Sequence, residues 1–271
     1  MRSLLLSFQF LTIIPIRISG EITQKDLARS VALFPIVGAF QGLVAVAMAS
    51  YLVRQFTAEV SSVLILLAWV LMNGGFHLDG LADTFDALAV KSTGDEDLDR
   101  EKRLAVMKDS SSGAAGVIAI VFTVLLKFLF LSFVISHAAP PVYHMVLVLL
   151  PVFSKWGMVL SLACAVSARQ DGLGKLLVDS VGKGTFAVSS LLVVLFFLSV
   201  YSCCIERVFE AQNIMLLFLL FVTLFLFSLL SVWFFRQKFG GLTGDNFGAI
   251  HEISEILILF MVIQWLQRFI Y

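Results

Sequence analysis

The sequence predicts an all-α, polytopic membrane protein of about seven transmembrane helices (six to seven). It reads as one integral membrane domain over 1–271, with a cytoplasmic N-terminus. Three observations carry this expectation. Hydrophobic residues make up 59% of the chain, charged residues only 14%, and the mean hydropathy is +0.97, far from the roughly 25% charged residues of soluble domains. Several apolar runs reach the ~18–20 residues that cross a hydrocarbon core, and they lack the alternation of a barrel strand. Finally, lysine and arginine alternate strongly between the segments that separate those runs.

The elements follow in order. The opening "MRSLLLSFQFLTIIPIR" has the basic start and apolar middle of a signal peptide but no small-residue cleavage site, and reads as a retained interfacial or re-entrant segment. The spans are expected near 31–53, 61–78, 113–136, 142–166, 184–204, 214–235 and 250–267. One side then holds fourteen of the nineteen cations, while the other holds Arg54, Arg207 and Arg268, with Lys127 and Lys155 inside spans. The bias puts the long polar loops, 79–112, 167–183 and 236–249, in the cytoplasm. Zero formal net charge gives no sign of nucleic acid. Cys164, Cys203 and Cys204 lie in apolar runs without metal-ligand spacing and read as small core residues.

Carboxylates cluster twice at the cytoplasmic border. In "GGFHLDGLADTFDAL", Asp79, Asp83 and Asp86 stand at i, i+4 and i+7, within ~60° on one helical face. Three like charges there repel, and a divalent cation resolves the repulsion because hard oxygen ligands suit Mg²⁺ or Ca²⁺. His77 points away from Asp79 and is a poor ligand for the same ion. In "GGLTGDNFGAIHEISE", Asp245, Glu252 and Glu255 fall within ~80°, so the two acidic faces are expected to meet at one membrane depth. A solvated acidic edge is the competing reading, and it is accepted for the mixed-charge run 95–101.

Two loops carry cations beside glycine. "RLAVMKDSSSGAAG" offers Arg103 and Lys108 ahead of a helix that Ser110, Ser111 or Ser112 can cap. It is an ordinary N-cap with a topogenic lysine or, less simply, a phosphate cradle. "SARQDGLGK" places Arg169 and Lys175 around a second such loop, with a plain turn as the alternative. Lys127, mid-span, reads as snorkelling or core-paired, and Lys155 as facing a polar cavity.

Carboxylate-held metal next to cationic loops suits displacement at a diphosphate. A divalent-cation transporter is the rival from another class, although it would place its acids nearer the bilayer midplane. A CDP-alcohol phosphotransferase-like enzyme is the enzymatic alternative; its Asp-Gly-x-x-Ala-Arg opening breaks here at Thr84.

At this point a resemblance covers nearly the whole chain. "FLTIIPIR", "FPIVGAFQG", "GGFHLDGLADTFDAL", "VMKDSSSGAAG", "ARQDGLG" and "GGLTGDNFGAIHEISE" occur in an order that resembles the cobalamin synthase, or adenosylcobinamide-GDP ribazoletransferase, family. The resemblance implies a bacterial inner-membrane enzyme that joins adenosylcobinamide-GDP to α-ribazole, or its 5′-phosphate, releasing GMP in a late step of cobalamin biosynthesis. Mg²⁺ is the implied cofactor and the lipid bilayer the implied setting; self-association is left open. On this basis Asp79, Asp83, Asp245 and Glu252 are the expected metal ligands. Asp79, Asp83, Asp86 and Glu255 are the expected catalytic carboxylates, with Asp86 or Glu255 as proton acceptor. Arg103, Lys108, Asp109, Lys155, Arg169 and Lys175 are expected to bind substrate. The chain departs from the family where Ser111 and Ser112 replace an arginine and a hydrophobic residue, and where Ser154-Lys155 replaces Ser-Arg. Lysine keeps that charge but loses bidentate geometry.

Overall fold

The computed structural model describes residues 1–109, 111–204 and 211–269, with the side chains of 201, 203–204, 211–214 and 269 left out. The expectations for Ser110, Arg207, Cys203 and Cys204 therefore lie outside the described residues. Twelve helices run along the described chain: α1 (Arg2–Leu11), α2 (Gln24–Ala32), α3 (Phe34–Gln55), α4 (Ala58–Asn73), α5 (Phe76–Leu88), α6 (Glu96–Val106), α7 (Ala114–His137), α8 (Pro140–Cys164), α9 (Leu173–Ser180), α10 (Lys183–Cys204), α11 (Ala211–Phe239) and α12 (Gly244–Phe269). Among them α3, α7, α8, α10, α11 and α12 are long and apolar enough to cross a membrane. They are six spans, or seven if the bent pair α4–α5 counts as one.

α8 forms the axis of the bundle. It is buried over its whole apolar window and touches α3, α10, α11 and α12. α3 approaches it most intimately. A Cβ built at Gly42 would stand 2.5 Å from the Cα of Val148, so the two backbones meet where no side chain intervenes. Around this axis pack Leu147, Leu150, Phe153, Leu224 and Leu259, all fully enclosed.

The expected straight span over 61–78 is in fact broken. Gly74 and Gly75 both take positive φ, 63° and 72°, a conformation that costs side-chain-bearing residues but not glycine. Gly74 N–H donates to Leu71 O and Gly75 N–H to Val70 O, closing α4 with a left-handed cap. The chain then turns by 85° into α5. The N-terminal segment braces this corner, since Ile13 N–H donates to Met72 O at 2.9 Å. The bend lets α5 leave the direction of α4 and lie along the first turns of α12.

Cys164 is exposed at the end of α8 rather than packed in the core. The helix stops there, and the chain leaves the bundle through Ala165 in an extended conformation.

Candidate active site

The first turn of α12 and the middle of α5 are pressed together because glycine lines the contact. A Cβ at Gly80 would lie 2.7 Å from the Asp245 carbonyl oxygen, and one at Gly248 would lie 3.0 Å from that of His77. Polar contacts lock the pair. Asn246 Nδ2 donates to Thr84 Oγ1 at 3.1 Å, and Asn246 Oδ1 accepts from Thr243 N–H at 2.9 Å. Thr243 Oγ1 receives the Asn246 N–H in return, at 3.4 Å, so the start of α12 is capped from within.

The loop after α8 is tied to the same place. Ala168 N–H donates to Leu242 O at 2.9 Å, and Leu242 N–H to Val166 O at 2.8 Å. This short parallel bridge at Ser167 and Leu242 presents Arg169 to Asp245, with Nη2 to Oδ2 at 3.3 Å. Gly174 backs onto Gly244, where a Cβ would stand 2.8 Å from the amide nitrogen. Gly80, Gly248, Gly174 and Gly241 thus serve close backbone packing around one point.

Asp79, Asp83 and Asp245 lie near enough here to act on one another electrostatically, although their carboxylate oxygens are not gathered within 4.8 Å of one another. The charges of Asp79, Asp245 and Asp86 all act on the Asp83 carboxylate, with the Arg169 guanidinium opposing them. Asp79 is exposed, and Asp83 and Asp245 are half-buried. Arg169 pairs with Asp245, while Asp79 and Asp83 have no ion pair of this kind among the described residues. Mg²⁺ fits such a donor set, because it binds through one or two carboxylates together with waters and substrate phosphates rather than in an all-protein cage.

The remaining residues singled out from the sequence go elsewhere. Asp86 shares the helical face but turns to α7, accepting from Gly113 N–H at 2.7 Å and from Gly116 N–H at 2.8 Å. The N-terminus of α7 thus receives a carboxylate from α5, and among the described residues no serine side chain caps it. Arg103 spans α6 and α11, donating to Lys238 O at 3.0 Å and facing Asp99 at 3.9 Å. Lys175 pairs with Asp179 at 2.8 Å, one turn along α9. Lys108 is exposed, and the exposed Asp109 accepts from Ser111 N–H at 3.1 Å.

Glu252 and Glu255 lie deeper than Asp245, and the expected single acidic level is two levels. Both are buried, and both meet Lys127 of α7: its Nζ stands 2.5 Å from Glu252 Oε2 and also contacts Glu255 Oε2. His251 stands 3.3 Å from Glu255 Oε1 and tilts against His77, with ring centroids 4.0 Å apart. Lys155 is fully buried and donates to Gln41 Oε1 at 2.5 Å, and Gln41 donates to Asn73 Oδ1 at 2.5 Å. Lys127 is therefore core-paired. His251, Gln41 and Asn73 were not singled out from the sequence, where their only signal is polarity inside apolar runs.

Among the described residues, one trio of ligand-type atoms lies within 4.8 Å of one another, on His77, His251 and Glu252. Its surroundings oppose a dication. The Lys127 ammonium already occupies the Glu252 carboxylate, and the interior holds two lysines against two glutamates, a balanced set without any metal.

A family model described as cobalamin-5-phosphate synthase matches residues 3–263. A curated relative from Thermodesulfovibrio yellowstonii, named adenosylcobinamide-GDP ribazoletransferase, is 35% identical over 94% of this chain and 93% of its own. Relatives of the same name come from Geotalea daltonii, 32% identical over 99% of this chain and 100% of its own, and from Clostridium acetobutylicum, 31% identical over 96% and 95%. No solved structure matches the chain. Neither the CDP-alcohol nor the transporter alternative is favoured by these matches. With the motifs, the membrane bundle and matches that run nearly end to end, the chain belongs to the cobalamin-5-phosphate synthase family.

Proposed function

We propose that the chain is a membrane transferase that joins adenosylcobinamide-GDP to α-ribazole, or to α-ribazole 5′-phosphate, giving adenosylcobalamin or its 5′-phosphate and GMP. The near-full-length relatives that carry the ribazoletransferase name support the substrates. The single observation that supports the location of the chemistry is the mutual electrostatic influence of Asp79, Asp83 and Asp245, with Arg169, where α5 and α12 cross.

The reaction displaces one phosphate ester by another. The 5′-hydroxyl oxygen of α-ribazole attacks the phosphorus on the cobinamide side of the diphosphate. The bond from that phosphorus to the bridging oxygen breaks, and GMP departs with the electron pair. Mg²⁺, when bound, supplies charge neutralisation at the phosphate oxygens. Asp79 and Asp83 are the residues to hold it, with Asp245 beside them. Arg169 provides a planar donor for a phosphate oxygen and can turn from Asp245 to do so. The hydroxyl proton passes to a carboxylate of this cluster that does not hold the metal. Asp86, Glu252 and Glu255 are already engaged, by two backbone amides and by Lys127.

We also assign the protein to the bacterial inner membrane with this face in the cytoplasm, on the strength of the cation bias along the chain. Purified protein in liposomes, given both substrates and Mg²⁺, should release GMP and form adenosylcobalamin, and a chelator should stop both. Folded protein that forms no product would refute the reading.

A further inference from the structure

The geometry points to a binding site for an anionic phospholipid in the cavity that α1 and α2 form with the start of α10. The cavity measures about 460 Å³, within the range of roughly 300–1,000 Å³ for small-molecule sites. Lys25 and Arg29, one turn apart on α2, line it. Leu4, Leu33 and Val188 supply its apolar part. Among the described residues, no carboxylate lines it.

These cations are not engaged within the chain. Both are exposed, and among the described residues neither side chain forms an ion pair or a hydrogen bond. Asp26 lies between them in sequence, but its carboxylate accepts from the Thr23 N–H and hydroxyl and faces Arg2 at 4.0 Å. Arg29 acts on it electrostatically without pairing. Like charges four residues apart on a helix repel, and an anion held by both relieves that repulsion. Gly184 and Thr185 also line the cavity. They lie in the first turn of α10, where backbone N–H groups lack intrahelical acceptors and favour the same anion.

Position selects a lipid over a soluble anion. The spans α3 and α10 begin at Phe34 and Lys183. The cavity takes in Leu33, just before the one, and Gly184, just inside the other, so it lies where both enter the hydrocarbon. Both helices start on the cation-rich side of the chain, and basic pockets between membrane helices on that side suit anionic headgroups. A soluble anion would use the two cations and leave the apolar part bare. A lipid uses both, with its phosphate on Lys25 and Arg29 and its acyl chains along Leu4 and Val188. Val188 is among the exposed apolar residues, which opens that wall to the bilayer. Bound lipid would tie α2 to α10 and so steady the N-terminal segment that braces the bend before α5 through Ile13 and Met72.

The test titrates the full chain in detergent with dioleoylphosphatidylglycerol, with dioleoylphosphatidylcholine and with inorganic phosphate. Bound lipid is read by native mass spectrometry, and the thermal unfolding midpoint is followed in parallel. Phosphatidylglycerol should bind and raise the midpoint by about three degrees or more over phosphatidylcholine, and phosphate should do neither. Lys25→Gln combined with Arg29→Gln should weaken phosphatidylglycerol binding by about tenfold or more, since each cation near an anionic lipid surface contributes about fivefold. Lys91→Gln combined with Lys102→Gln removes equal charge from exposed positions elsewhere and should leave binding within about twofold of the parent. Equal losses from the two pairs would mean general surface attraction. Equal shifts with phosphate would mean a simple anion site, and equal affinity for the two lipids a contact indifferent to charge. Each of these three results would overturn the inference, and none bears on the transferase reading.

Discussion

α12 carries acidic residues at two levels, and they meet opposite fates. Asp245, in its first turn, sits beside Asp79 and Asp83 and is paired with Arg169. Glu252 and Glu255, two to three turns further in, are held by Lys127 and share the interior with Lys155. The interior set balances its charge, as low-dielectric surroundings demand. Among the described residues the border set does not, and water can reach Asp79. Excess negative charge retained beside glycine-lined backbone is where a cation and a diphosphate have something to gain, whereas balanced charge positions helices.

The sharpest way to break this comparison is to neutralise one member of each set. Asp83→Asn should cut turnover by about 10³-fold or more, with the thermal unfolding midpoint in detergent unchanged within about two degrees. Comparable turnover would remove the border set from the chemistry. Lys127→Met should act on stability, destabilising by about 3–5 kcal/mol because two buried carboxylates lose their cation. Neutralising Glu252 and Glu255 to glutamine in the same protein should recover most of that loss in an unfolding titration. If Lys127→Met alone is as stable as the parent, the interior set is not held by charge balance.

Asp86 tests the boundary between the two sets. Asp86→Ala should destabilise by about 1–2 kcal/mol, the scale of a lost helix cap, and hydrogen exchange should quicken at Gly113 and Gly116, whose amides it receives. Unchanged exchange there would contradict the capping role.

The smallest effect concerns pH. Outside the membrane, Asp99 accepts from Ser92 Oγ and from the Thr93 amide and hydroxyl, and these bonds hold its carboxyl down at about 2. A depressed folded-state value adds stability above the ordinary carboxylate pKa of ~3.9 and loses it as pH falls toward 2. A carboxyl-carbon NMR titration should find Asp99 ionised at pH 3, while an ordinary titration near pH 4 would refute the contacts.

The spans were legible because hydropathy over ~20 residues decides membrane crossing regardless of tertiary detail. The bend between α4 and α5 was written in Gly74-Gly75, but a pair of glycines does not by itself announce two left-handed residues in succession. Asp79, Asp83 and Asp86 do share a helix, as their spacing indicated. The different engagement of Asp86 was hidden because its partners stand 27 and 30 residues away, on another element. On α12 the helical angles among Asp245, Glu252 and Glu255 put them on one side. Angle says nothing of depth, and seven residues of rise separate the border from the interior. The Lys127 pairs, 125 and 128 residues apart, left no local pattern beyond opposite charges in two apolar runs.

The most direct test of the claim that unbalanced border charge runs the reaction is a single-turnover assay in liposomes comparing the unaltered protein with Asp83→Asn, each with Mg²⁺ and with chelator. The account predicts GMP release and adenosylcobalamin formation only from the unaltered protein with Mg²⁺. Product from the Asp83→Asn protein at a similar rate, or from the unaltered protein in chelator, would contradict it.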